Sequence, residues 1–198
     1  DVADSRVDKL TEIYEPKKTV YATIEVVDFA GLTADAATQG VFSSEAMGLI
    51  KAGDALALVV RNFADPVVDE TQGPADPRRD VEKVAGELTL GDLIVVERRL
   101  ERIEGDLQRG KKTPALQGEQ KVLSRLQEAL SEGIPLAKVE LTPEEEKLIS
   151  GFQFLSQKPL FVVLNSGEEL YGKNPDIVAE LEQQYPVIEF SGSFEMEL

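Results

Sequence analysis

Cysteine, histidine and tryptophan are all absent from the 198 residues. Without thiols there is no disulfide framework, no thiolate nucleophile and no Cys-based zinc or iron–sulfur site. Without imidazole there is no Ser-His-Asp or Cys-His machinery, no His-ligated metal and no histidine pH switch. Any metal must be a hard cation on oxygen ligands, with Mg²⁺ the first choice. Basic charge is scarce as well: 21 Lys and Arg stand against 37 Asp and Glu, a formal net charge of −16. That balance argues against a phosphate-neutralising surface over the whole chain, so direct nucleic-acid binding is not expected beyond a local basic patch. Long apolar runs are lacking too. Stretches such as Ala55–Val60 are far too short to span a bilayer, and the N-terminus has no basic-then-apolar leader pattern. No membrane partner is expected, and a cytoplasmic setting is the default.

What is present suffices for a globular core: hydrophobic residues make up 42% and charged residues 29%, ordinary values for a soluble domain. Four short apolar runs read as strands: Ala22–Asp28, Ala55–Arg61, Leu160–Asn165 and Val187–Ser191. They are nearly continuous rather than alternating, which predicts a sheet covered on both faces, as in α/β folds. Three of them end on a polar residue, Asp28, Asn165 or Ser191, and ligands of open α/β sheets bind outside the carboxyl ends of the strands.

The middle of the chain is helical. Val81, Val84 and Leu88 open an apolar stripe that Leu93, Val96, Leu100, Ile103 and Leu107 continue at spacings of 3, 4, 3 and 4, a heptad seam. The break between Leu88 and Leu93, with Gly86 and Gly91 nearby, predicts a bend there. After the polar link Gly110–Pro114, a second helix reads through Leu116, Leu123, Leu126 and Leu130. Two heptad helices with a short link predict an antiparallel hairpin. Its bland role is to bury its own seam; docking a partner needs apolar residues left over. A third helix starts at Thr142 as N-cap, with Pro143 at N1, Glu145 closing a capping box, and Leu148 and Ile149 as its apolar face. Asp65–Pro77 reads as a loop leading out of the sheet domain.

Three loops at strand ends carry candidate chemistry. In Asp28-Phe-Ala-Gly31 the aspartate can reach Mg²⁺ through water and the glycine amide can bond a γ-phosphate; taken alone, the pattern also fits an ordinary strand-to-loop turn. In Asn165-Ser-Gly-Glu168 the Asn amide can bond a purine edge and the Glu can face its other polar groups; an Asn-Ser-Gly turn is the plain alternative. Ser191-Gly192-Ser193 can wrap a base with backbone amides, or be one more tight turn.

Together with these loops, Asp4–Leu10, Tyr14–Thr19, Asp28–Leu32, Asp54–Arg61, Asp76-Pro77, Glu97–Glu104, Leu141–Glu146 and Lys158-Pro159 make the chain resemble the YchF or Obg-like ATPase family across almost its whole length. The resemblance implies an α/β Ras-like P-loop NTPase (G) domain, a three-layer sandwich that is incomplete here, with an inserted antiparallel helical hairpin or coiled-coil arm. The α/β core would be discontinuous, 1–75 and 151–198, with the arm at 76–150. The family prefers ATP, and the resemblance puts its altered base motif at Asn165 and Glu168, with Ser191, Gly192 and Ser193 also at the base. A guanine reader presents an aspartate to guanine N1 and N2 with a lysine stacking beside it; here Glu168 replaces the Asp and Ser166 stands at the Lys position. Asp28 and Gly31 fall on the phosphate side, with Asp28 holding Mg²⁺ indirectly. Leu32 matches the family's hydrophobic residue where many GTPases place a catalytic glutamine.

The chain departs from the family pattern in three places. No G-x-x-x-x-G-K-[ST] occurs, so no loop here cradles phosphates; since the chain starts at Asp1 rather than Met, that loop is expected upstream. The stretch Thr33–Ser44 keeps Gly40 but lacks the family's lysine. The family's small C-terminal domain of the TGS type has no counterpart. Two functions stay open: ATP, or less readily GTP, binding with slow hydrolysis, associated with the ribosome through other parts; or a degenerate, non-hydrolysing module whose helical arm binds a protein partner or the ribosome.

Overall fold

In a computed structural model of the chain, residues 1–28 and 44–195 are described. The contacts separate two units, Asp1–Ala30 and Gly31–Leu198. The first holds helix α1 (Ser5–Tyr14), capped by the Asp4 carboxylate on the Arg6 amide at 2.9 Å. None of its residues is buried. The expected strand at Ala22–Asp28 does not form: Ile24, Val26 and Val27 are 73%, 86% and 53% exposed. A strand exists by pairing, and here one backbone bond, Val2 N–H to Ala22 O at 2.7 Å, stands in place of a ladder.

The second unit is α/β. Its described elements run α2 (Ser44–Ala52), β1 (Leu56–Asn62), α3 (Pro66–Gln72), α4 (Pro77–Gln108), α5 (Pro114–Ser131), α6 (Pro143–Ile149), β2 (Leu160–Ser166), α7 (Pro175–Glu182), β3 (Val187–Phe190) and α8 (Gly192–Glu195). The sheet is parallel throughout, in the order β1-β2-β3. Its register pairs Arg61 with Asn165 and Asn165 with Phe190.

Burial alternates along the strands, unlike the two-sided cover expected from their continuous apolar runs. Val60, Val162 and Leu164 face a core that also takes Val81 of α4 and Leu181 of α7. Val59 and Ile188, on the opposite pleat, are 60% and 55% exposed. The reason is that α4 and α7 both pack on the same face.

The helical segment follows its heptads closely. Val96, Leu100 and Ile103 of α4 meet Leu123, Leu126 and Leu130 of α5, with Leu136, Ile149 and Phe154 closing the cluster. Arg99 and Glu119 form a two-pronged ion pair across the helices at 2.6 and 2.7 Å. These seam residues are therefore spent internally, while Leu90 and Ile94 of α4 stay 49% and 40% exposed. Thr142, Pro143 and Glu145 make the expected capping box. Of that helix's two apolar residues, Ile149 is buried at 1% exposure while Leu148 stays 39% exposed.

Near Gly86 and Gly91, where the sequence predicts a bend, α4 continues as one helix of 32 residues. What changes there is the partner. Val81 belongs to the sheet core and Val96 to the helical core. Between them Asp92 is 2% exposed. Its Oδ1 accepts the Leu155 N–H at 2.8 Å, and Oδ2 accepts the Ser156 N–H at 2.7 Å and hydroxyl at 2.6 Å. Further along the same segment, the Lys158 ammonium donates to the carbonyls of Lys51, at 3.0 Å, and Gly53, closing the end of α2. Among the described residues no helix is long and apolar enough to cross a membrane.

Leu126→Ala in the helical core should cost about 2–5 kcal/mol, whereas Leu148→Ala, at its half-exposed position, should cost far less; urea unfolding of the two variants checks this. Asp92 predicts a pH dependence. Burial pushes its carboxyl above the usual range, against the bonds from Ser156 and Leu155 and the charge of Lys51. The folded state thus holds this proton more tightly than the unfolded chain. The stability so gained is fully present below the ordinary carboxylate pKa of about 3.9 and is lost as pH rises through the raised folded value. Asp92→Asn cannot titrate, and like the protonated acid it offers one acceptor and one donor. The stability of wild type relative to this variant should therefore be highest in acid and fall towards neutrality; a relative stability that rises instead contradicts the assignment.

Candidate functional site

Consecutive residues of a strand point to opposite faces. At the carboxyl end of β2, Asn165 and Ser166 therefore diverge. The Asn165 Oδ1 accepts the Gly192 N–H at 3.1 Å, which joins two of the three candidate loops. Gly192 is suited to this approach, because a Cβ there would lie 3.4 Å from Asn165 Oδ1 and 3.6 Å from its Nδ2. The Asn165 Nδ2 has no hydrogen-bond partner among the described residues.

Ser191 is buried at 3% exposure, and its hydroxyl lies 3.2 Å from that of Ser193. The expected tight turn at 191–193 is instead the first turn of α8, with Glu195 N–H bonded to Ser191 O at 3.1 Å. The backbone amide at Gly192 points back to Asn165.

Glu168 is exposed on the turn after β2. That turn is closed by the Leu170 and Tyr171 amides, both 2.9 Å from Gly167 O. Gly167 itself sits tightly: a Cβ there would come within 3.1 Å of Phe63 Cβ. Asn165, Glu168 and Ser191–Ser193 thus share one end of the sheet. Asp28 is exposed and belongs to the first unit, while Gly31 and Leu32 lie outside the described residues.

Arg61, beside Asn165 in the register, is the nearest strand cation. It is committed elsewhere, donating to Phe63 O at 3.1 Å, Asp69 Oδ1 at 2.7 Å and Gly73 O at 2.8 Å. It organises the 63–73 loop rather than facing a ligand. A cleft of about 360 Å³ lined by Lys51, Asp54, Gln153 and Gln157 lies at the opposite ends of the strands and contains none of the candidate residues.

Reading the sequence missed the partners of Ser166. Expected at a lysine's stacking position, it is instead 1% exposed. Its Oγ accepts from Asn62 Nδ2 at 2.9 Å and donates to Glu189 Oε1 at 2.6 Å. Asn174 Nδ2 donates to the same Glu189 oxygen at 2.9 Å. One signal was available: Glu189 is a carboxylate inside the otherwise apolar Val187–Phe190 strand.

As to metal, no group of three or more His, Cys, Asp or Glu able to hold an ion occurs among the described residues. Asp28 offers a single hard oxygen donor. That suits Mg²⁺ carried chiefly by phosphate oxygens and water, and not a cage of protein ligands.

No family model matches the chain. It is similar to the ribosome-binding ATPase YchF of Bacillus subtilis, 34% identical over 169 residues, which is 85% of this chain and 46% of that protein. It is similar to the YchF of Haemophilus ducreyi, 32% identical over 183 residues, 91% of this chain and 50% of that one. It is similar to Obg-like ATPase 1 of Schizosaccharomyces pombe, 33% identical over 171 residues, 84% of this chain and 44% of that one. The chain spans about half the length of the curated relatives it matches. Among solved structures, that of the Schizosaccharomyces pombe YchF GTPase superposes with a TM-score of 0.74 at 27% identity, covering 98% of this chain and 55% of that one. This likeness and the parallel three-stranded sheet fit a P-loop G-domain fold.

Proposed function

This chain is a relative of the YchF and Obg-like ATPases, and from that premise we propose that it binds a purine nucleotide at the carboxyl ends of β1–β3, ATP in preference to GTP. The observation that carries the reading is the Asn165–Gly192 hydrogen bond, which unites two loops that a base must touch together. The spare Asn165 Nδ2 donor suits the acceptor N7 of a purine. The Glu168 carboxylate suits the N6 amino donor of adenine, and no lysine stands at the intervening position to stack on the ring. Ser191–Ser193 backs the base from the β3 side.

Asp28 and Gly31 serve the phosphate side, with Asp28 holding Mg²⁺ through water; when bound, the ion neutralises charge on the phosphates. Leu32 has no polar group to orient water, so hydrolysis on this plan is slow. Turnover also needs a phosphate-cradling loop, and the 198 residues contain no Walker pattern. We extend to this chain the ribosome association in the names of its relatives. In this reading 1–75 and 151–198 form the nucleotide domain and 76–150 the inserted arm.

Titration calorimetry with Mg·ATP and Mg·GTP tests the base site. Asn165→Asp keeps an oxygen for the Gly192 amide and removes the Nδ2 donor. It should weaken Mg·ATP by about tenfold, the worth of one hydrogen bond with its orphaned partner, with the unfolding midpoint little changed. Asn165→Ala should weaken nucleotide and also release the 191–193 loop. Undiminished ATP affinity in both variants would sink the base assignment, and no heat from either nucleotide with wild type would sink the function.

A further inference from the structure

The buried polar cluster on the far side of Asn165 has no part in the reading above. We propose that Glu189 is a positioning residue that, through Ser166 and Asn174, sets the placement of the 167–174 loop and so tunes the choice between adenine and guanine; this rests on the base site just described. Three groups of one segment converge on its carboxylate. Ser166 Oγ donates to Oε1 at 2.6 Å, Asn174 Nδ2 to the same oxygen at 2.9 Å, and the Gly172 N–H to Oε2 at 3.3 Å. The start, the body and the end of the 166–174 segment are thus tied to one side chain of β3. Hydrogen bonds to an ionised acceptor are the stronger kind, and no lysine or arginine pairs with this carboxylate among the described residues.

The loop's own backbone bonds fix its shape but not its place. Leu170 and Tyr171 bond back to Gly167, and Lys173 N–H bonds to Leu170 O at 2.9 Å. Asn174 Nδ2 also donates to Leu170 O at 2.6 Å. On the β1 side, Gly167 N–H bonds to Asn62 O at 3.2 Å, and Asn62 Nδ2 donates to Ser166 Oγ. On the β3 side, Glu189 is the hydrogen-bonding tie among the described residues. Glu168 rides on this loop. The donor at adenine N6 and those at guanine N1 and N2 stand at different positions along the ring edge, so where this carboxylate is held decides which of them it meets. Holding a binding residue in place is what supporting contacts around it do.

Glu189→Gln keeps size and one oxygen but sets an amide donor among three donors. Asn174→Ala cuts the tie from the loop side. Both can be followed by amide hydrogen exchange over 167–174 in the full chain and by calorimetry with Mg·ATP and Mg·GTP. Each variant should exchange its Gly172 amide roughly tenfold faster, and the ATP-to-GTP affinity ratio should fall by roughly the same factor, the loss expected for one charge-assisted bond. Thermal unfolding monitored by circular dichroism identifies a variant that has merely lost its fold, in which case the other variant decides. Unaltered exchange in a folded variant overturns the tether whatever the nucleotide result. Faster exchange with an unchanged ratio reduces the cluster to a stabilising role and overturns the specificity claim. Wild type that binds neither nucleotide overturns the base site itself, and the tuning with it.

Discussion

One helix serves two hydrophobic cores, and a buried carboxylate stands where it passes from one to the other. The first turns of α4 complete the core under the sheet through Val81, while Val96, Leu100 and Ile103 complete the helical core. An ionised group taken out of water costs several kcal/mol unless it is paired or hydrogen-bonded. Asp92 offsets part of that cost with three donors, all from Leu155 and Ser156. Those residues lie only a few positions before β2 begins at Leu160. The same contact that holds the helical pair to the rest of the unit therefore sets where the central strand enters the sheet. Lys158, bonded to the carbonyls of Lys51 and Gly53, extends this join to α2.

Elements whose stability is local could be read from the sequence. The capping box at Thr142 and Glu145 is complete within four residues, and the structure reproduces it. The heptads of α4 and α5 are repeats of one residue class, and they pack as their spacing requires. Asn165, Glu168 and Ser191–Ser193 could be placed at strand ends because a parallel strand of known length has a known end. Failures occurred where the outcome depends on what lies opposite. Ala22–Asp28 has the composition of a strand but no ladder partner among the described residues. The same limit applies to the sheet's cover: continuous apolar runs do not record that α4 and α7 share one face.

The distribution of polar groups explains why the candidate site lies at one end of the sheet. Buried polar atoms need partners, and at the carboxyl ends they are supplied in two layers. On one side of β2, Asn165 is tied to the Gly192 amide and keeps a donor to spare. On the other, Asn62, Ser166, Asn174 and Glu189 satisfy one another. Arg61, which would otherwise bring positive charge beside Asn165, is turned into the 63–73 loop by Asp69 and two carbonyls. This end of the sheet thus presents hydrogen-bonding groups rather than free positive charge, in keeping with the proposed base site.

Asn165 and Ser166 are joined by a single peptide bond, and this couples the two layers. A strand cannot rotate one residue without rotating the next, since its alternation is fixed by the backbone. The bonds that hold Ser166 against Glu189 on the buried side therefore also hold the plane in which the Asn165 amide is presented. They act on the Glu168 turn through the same carboxylate. The small hydroxyl at Ser166, 1% exposed and bonded to Asn62 and Glu189, thus belongs to the packing of the sheet interior.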